Sequence, residues 1–141
     1  MKEICLAWLG HTDLREINDI QTGGGPIATL CGSSYGKKFD ELHILLSFKE
    51  VPLVIKDHFL KINQKFTTRD QLIHYWETHF QKILDIPVVY HDCPVKDPTN
   101  HKEIYQHVKK VLDGLHDQKD SQIKLHYHLS PGTPSMHAVF L

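Results

Sequence analysis

The sequence is short of cysteine, of long apolar runs and of excess positive charge, and each shortage excludes a class of protein. Only three cysteines occur in 141 residues, Cys5, Cys31 and Cys93. They are odd in number, far apart and without a CxxC pair, so neither a disulfide framework nor a zinc ribbon is indicated. A reducing, cytoplasmic compartment is the expectation. No apolar run approaches the roughly 18 residues that a membrane span needs, and nothing resembling a leader precedes the first strand-like run, so no membrane partner is expected. With 16 Lys and Arg against 17 Asp and Glu, the formal net charge is -1. A generic nucleic-acid coat, which needs a basic excess to neutralise phosphates, is thereby disfavoured, although a small local basic pocket stays open. Several catalytic signatures are missing too. Gly23-Gly24-Gly25 is not followed by Gly-Lys-Ser or Gly-Lys-Thr, Ser130-Pro131-Gly132 is no GxSxG elbow, and no HExxH is present. Phosphate-loop, serine-hydrolase and zinc-protease readings therefore lose their footing.

What remains is an ordinary globular composition, 40% hydrophobic and 23% charged, in a chain of one-domain length that can bury a core unaided. Ile4 to Leu9 is a continuous apolar run that stops at Gly10, as expected of a strand covered on both faces. Leu42 to Phe48, Pro87 to His91 and Ile123 to Leu129 read as three further strands. Pro26 starts a helix through Leu30 and Cys31. Apolar residues recur at helical spacing over Leu53 to Phe66 and Thr68 to Leu84, and again from His101 to Leu115, where Thr99 or Asn100 supplies the N-cap. Tyr75, Trp76 and Phe80 share one helix face and read as core or dimer packing. The alternation of strand and helix predicts an α/β fold, a mostly parallel sheet with helices on both faces.

Two loops carry the candidate chemistry. The strand ending at His128-Leu129 runs into Ser130-Pro131-Gly132-Thr133-Pro134-Ser135-Met136 and then an apolar stretch, which reads as a strand, tight loop and helix. Thr133 suits the N-cap, Pro134 the first helical turn, and Gly132 a close approach of backbone to ligand. Unpaired N–H groups at such a helix start favour an anion or a polar ligand edge, although a plain connection that binds nothing has the same local chemistry. At the other end of the chain, Gly10, His11, Thr12 and Asp13 follow the first strand, on the side where open α/β sheets bind ligands. Thr12 donates and accepts, and Asp13 accepts from a ribose hydroxyl or an adenine amine; the plainer reading makes Asp13 a helix or turn cap and His11 a solvated side chain. Ser47 and Lys49 close the second strand at the same edge. Gly23 to Pro26 reads as a hinge and as a lid boundary. Among twelve histidines, His126 and His128 point to one face of a strand, and His11 or His137 could approach them, yet no metal-ligand spacing accompanies them and no metal site is expected. The cysteines read as core thiols.

The Leu129 to Met136 run, LSPGTPSM, closely resembles the signature of CARF domains, the Rossmann-like ligand sensors of CRISPR-associated effectors and regulators. Trp8-Leu9-Gly10-His11-Thr12-Asp13 resembles their other ligand-facing loop. The resemblance is nearest to the sensor domains that precede AAA+ modules in sigma-54-dependent regulators, where Asp97-Pro98-Thr99-Asn100 also finds a counterpart. It implies a homodimer that binds a cyclic oligoadenylate or another RNA-derived nucleotide across its two-fold axis. Gly10, His11, Thr12, Asp13, Ser47, His128, Ser130, Pro131, Gly132, Thr133, Ser135 and Met136 would form the site: Thr12 and Asp13 on base or ribose, Ser130, Gly132, Thr133 and Ser135 on phosphate and sugar, and Met136 packed beneath the loop. Binding would bias an attached output module, DNA being met only through a domain beyond residues 1–141, and no cofactor is implied. The apolar Ala138 to Leu141 without a cap reads as a chain cut short of a longer regulator. Two alternatives stand beside this one. One is a metal-free ring nuclease with His128 or His11 as acid or base and no assigned catalytic set. The other is a Rossmann-like module for a different nucleotide.

Overall fold

The structure is a computed structural model and describes residues 2–19, 23–33, 39–97, 99–116 and 122–128. In chain order they form β1 (Lys2–Trp8), α1 (His11–Glu16), α2 (Pro26–Gly32), β2 (Glu41–Leu46), α3 (Leu53–Leu60), α4 (Arg69–Ile83), β3 (Val88–Asp92), α5 (His101–His116) and β4 (Ile123–His128). The four strands make one sheet in the order β3-β2-β1-β4, and every pairing is parallel. Parallel strands need both faces covered, which accounts for the unbroken apolar runs of the two central strands. Ile4 to Leu9 and Leu42 to Leu46 are all buried, His43 being the polar exception among them.

Alternate residues of those strands feed two separate cores. On one face Cys5, Ala7, Leu42, Ile44 and Leu46 pack with α1 to α4 through Leu14, Ile27, Phe59, Trp76 and Phe80. On the other, Ile4, Leu6, Trp8 and Leu45 meet Ile104, Val108, Val111 and Leu115 of α5. The aromatic stripe of α4 is core: Trp76 and Phe80 stack with ring centroids 4.9 Å apart, and Tyr75 packs edge-on against Phe59 and Phe66.

Local differences from the sequence expectation have local causes. Helix α1 begins immediately after β1, where only a loop or cap is legible in the sequence. Helical spacing continues to Phe66, yet α3 ends at Leu60. There Asn63 takes φ 59, while its N–H donates to the Leu60 carbonyl and that of Gln64 to the Phe59 carbonyl. This is a Schellman-type exit with Asn in the left-handed position that more often takes Gly. The glycine triplet is a defined turn rather than a loose hinge: Gly23, Gly24 and Gly25 all have positive φ (81, 85 and 101). Gly24 N–H donates to the Asp19 carbonyl, and Gly24 and Gly25 are both buried.

Candidate functional site

The chain passes from β1 through β2 to β3, then crosses by α5 on the opposite face to place β4 on the far side of β1. Successive connections from β1 and into β4 therefore leave opposite sheet faces, and the crevice between the C-terminal ends of β1 and β4 is the switch point where open α/β sheets bind ligands. The register aligns Ala7 with His128, so residue 128 ends β4 beside the start of the Gly10–Asp13 turn. The strand order thus sets the end of β4, from which the second stretch singled out in the sequence continues, beside the first. Leu129, Ser130, Pro131, Gly132, Thr133, Ser135 and Met136 lie outside the described residues, as does the side chain of His128.

The Gly10–Asp13 turn is built from below. Asp13 is 1% exposed, and both of its carboxylate oxygens accept backbone N–H groups, Oδ2 from Gly10 at 3.0 Å and Oδ1 from Ile27 at 2.8 Å. It stands at the third position of α1, caps that helix by reaching back to Gly10, and also satisfies a free N–H in the first turn of α2. This matches the helix-cap reading and gives Asp13 a holding function. Burial pushes its carboxyl up to about 6; the Ile27 and Gly10 N–H groups pull the other way without offsetting it. Gly10 is half-buried, His11 is exposed, and Thr12 is half-buried with Oγ1 accepting a long hydrogen bond from Arg15 at 3.4 Å. Partial desolvation, then the neighbouring Arg15 charge, holds the His11 imidazole below its ordinary pKa. The presented groups are therefore a largely neutral histidine, a hydroxyl and a glycine backbone, a polar edge suited to bases and sugars.

Ser47 lies at the same edge, half-buried. Its carbonyl accepts from Val95 N–H at 3.0 Å, and the Leu46 carbonyl accepts from Cys93 N–H at 2.9 Å, so β2 and the chain after β3 stay paired past the strand ends. The cysteines are core thiols. Hydrogen bonding to Cys31 and burial push the Cys5 thiol far up, and Cys93 is pushed up to about 12 by burial and the Asp92 charge, which leaves neither as a ready nucleophile. His126 sits 3.3 Å from Glu3 Oε1 and packs on Phe39. Among the described residues no group of three or more His, Cys, Asp or Glu side chains is placed to hold a metal.

A histidine pair was not legible in the sequence. His43, 3% exposed, lies with Nδ1 2.7 Å from His91 Nε2 and with Nε2 2.7 Å from Glu41 Oε2, while Lys2 pairs with the same carboxylate. The carboxylate only accepts, so His43 donates from Nε2 and, in the neutral pair, its Nδ1 accepts from His91. Burial opposes ionisation of Glu41, but the His43 and Lys2 hydrogen bonds outweigh it and hold its carboxyl below the usual value. Burial and then His43 hold His91 below its ordinary value. A histidine so lowered contributes stability that is present above its unfolded pKa of about 6.5 and is lost as pH falls through the lowered folded value. His91→Gln should flatten the loss of unfolding free energy on acidification below that point, read by urea denaturation across pH. Neither histidine was findable from spacing, since they are 48 residues apart and meet only through the β2–β3 register.

No family model matches the sequence, and no curated protein matches it. Among solved structures, Csm6 of Enterococcus italicus, determined bound to cyclic hexa-2'-fluoro-hexa-dAMP, is similar with a TM-score of 0.65 at 14% sequence identity over 99% of this chain. At that identity the likeness defines the fold, a CARF-like, Rossmann-type α/β domain. The chain spans 29% of the length of that Csm6 chain.

Proposed function

We propose that this chain is a sensor module for a cyclic oligoadenylate or a closely related RNA-derived nucleotide, which pairs into a homodimer and biases an attached effector. The observation that carries the reading is the strand order. It sets the end of β4, from which LSPGTPSM continues, beside the Gly10–Asp13 turn at the switch point of a parallel sheet. The solved structure of the same fold holds a cyclic hexanucleotide analogue, which supports this ligand class over other nucleotides. Thr12 and the Gly10 backbone meet base or ribose, His11 stacks or hydrogen-bonds, Ser47 borders the pocket, and Ser130, Gly132, Thr133 and Ser135 take the phosphates. Asp13 acts by fixing the turn. An output of the sigma-54-dependent, AAA+ type rests on the sequence resemblance of residues 97–100 and 129–136.

Titration calorimetry with cyclic tri-, tetra- and hexa-adenylate tests this. Saturable binding is expected with one ring size, and Thr12→Ala and Thr133→Ala should each weaken it about tenfold, the worth of one well-formed hydrogen bond. No heat with any ring, from a folded chain, would refute the cyclic ligand. Chromatography of the same mixtures reads the enzyme alternative, since adenylate fragments accumulating with time would make the module a ring nuclease.

A further inference from the structure

Lys49, three residues past the end of β2, has no role in the site above, but the fold gives it company. With Lys56 of α3 and Arg69 of the first turn of α4 it lines a pocket of about 420 Å³, completed by Glu50, Val51, Thr67 and Thr68. The three cations come from separate segments that meet at the C-terminal edge of the sheet. Arg69 is fixed there, because its Nη1 donates to the Phe48 carbonyl at 2.9 Å and to Asp92 Oδ1 at 2.7 Å. Lys49 and Lys56 form no ion pair among the described residues. The threonines are occupied by the α4 cap: Thr67 donates to Gln71 Oε1, and Thr68 Oγ1 accepts from Gln71 N–H. What the pocket offers a ligand is therefore positive charge. Arg69 is balanced by Asp92, and two ammonium groups stand against the single Glu50 carboxylate.

We propose that this pocket binds a phosphate group carried as a phosphomonoester, with Lys49 and Lys56 as its charge partners and Arg69 as a fixed part of its wall. A dianion gains more Coulomb energy from two ammonium groups than a monoanionic carboxylate or a chloride does. The volume exceeds what a lone phosphate fills and leaves room for the sugar of a nucleotide end. The proposal does not depend on the cyclic oligoadenylate reading, since its probe is inorganic phosphate.

The test is a titration of the isotopically labelled full chain with inorganic phosphate, and with sodium chloride at equal ionic strength, followed by amide resonances. Phosphate should shift the amides of residues 49–51 and 67–69 saturably, and chloride should not. The Lys49→Gln/Lys56→Gln double variant, with its unfolding midpoint unchanged, should bind phosphate about tenfold more weakly, as expected for two partly exposed charge contacts. AMP should shift the same amides and adenosine should leave them still. Shifts that track ionic strength whatever the anion, that persist in the double variant, or that adenosine reproduces would overturn the proposal.

Discussion

Gly25→Ala should unfold in urea at a markedly lower midpoint with an unchanged slope, a loss of about 2–5 kcal/mol when the strain of a left-handed non-Gly residue is added to the cost of overpacking. Two independent reasons converge on this position. Gly25 has φ 101, a conformation L side chains rarely adopt, and a Cβ there would stand 2.9 Å from Asp13 Cα and 3.2 Å from the Thr12 carbonyl oxygen. The obstructing atoms are backbone, so no rotamer change relieves them; α2 must move away from α1 or the turn must shift. Either movement stretches the Ile27–Asp13 hydrogen bond and with it the presentation of Thr12, so ligand binding should fall along with stability. Gly114→Ala is the control. Gly114 lies inside α5, and a Cβ there meets nothing within 4 Å, so gaining helix propensity should raise stability by about 0.5–1 kcal/mol. If Gly25→Ala were as benign as Gly114→Ala, the close approach of α2 to the β1–α1 turn would be wrong.

The same residues show where sequence reasoning reaches and where it stops. The central strands were legible because burial on both faces leaves an unbroken apolar run, as in Ile4 to Leu9, and α4 and α5 because each has a long one-sided stripe. Glycines signal conformation but not its purpose: Gly23 to Pro26 reads as a hinge or a lid boundary, and the tight turn it forms shows only in its positive φ angles and its approach to the Asp13 backbone. Asp13 was visible as a polar residue at a ligand edge, and the acceptor role that occupies both of its oxygens depends on Ile27, fourteen residues away. The His91–His43–Glu41 chain and the meeting of Lys49, Lys56 and Arg69 belong to the same class. Each is made by register or by packing between elements, for which a linear pattern carries no signal. The adjacency of β1 and β4 is the exception, because the resemblance joins the loops that follow those strands and the β3-β2-β1-β4 order sets the two strands side by side.

Asp13→Ala should cost about 2–6 kcal/mol near neutral pH, because it strands two buried backbone N–H groups, those of Gly10 and Ile27, each worth about 1–3 kcal/mol when left without an acceptor. The pH dependence of that cost separates this from an ordinary cavity. The folded-state pKa of Asp13 lies at about 6, above the value of about 3.9 in an unfolded chain. Between those values the folded protein holds a proton that the unfolded chain has released, so the contribution of this group to stability is complete below the unfolded pKa and is lost as pH rises through the folded one. The wild type should therefore exceed Asp13→Ala by more in acid than at neutrality, the gap widening by roughly 1–3 kcal/mol between about pH 7.5 and about pH 4.5. Taking the difference between two chains at each pH cancels the other titrating groups, His91 among them, and leaves Asp13. Parallel urea denaturation series at the two pH values read it directly. A gap that narrows in acid would mean that the two N–H donors outweigh burial and that the carboxylate is favoured in place. A gap near zero at both would remove Asp13 from the foundation of the turn and return it to the ligand face, where loss of nucleotide binding without loss of stability should then be found.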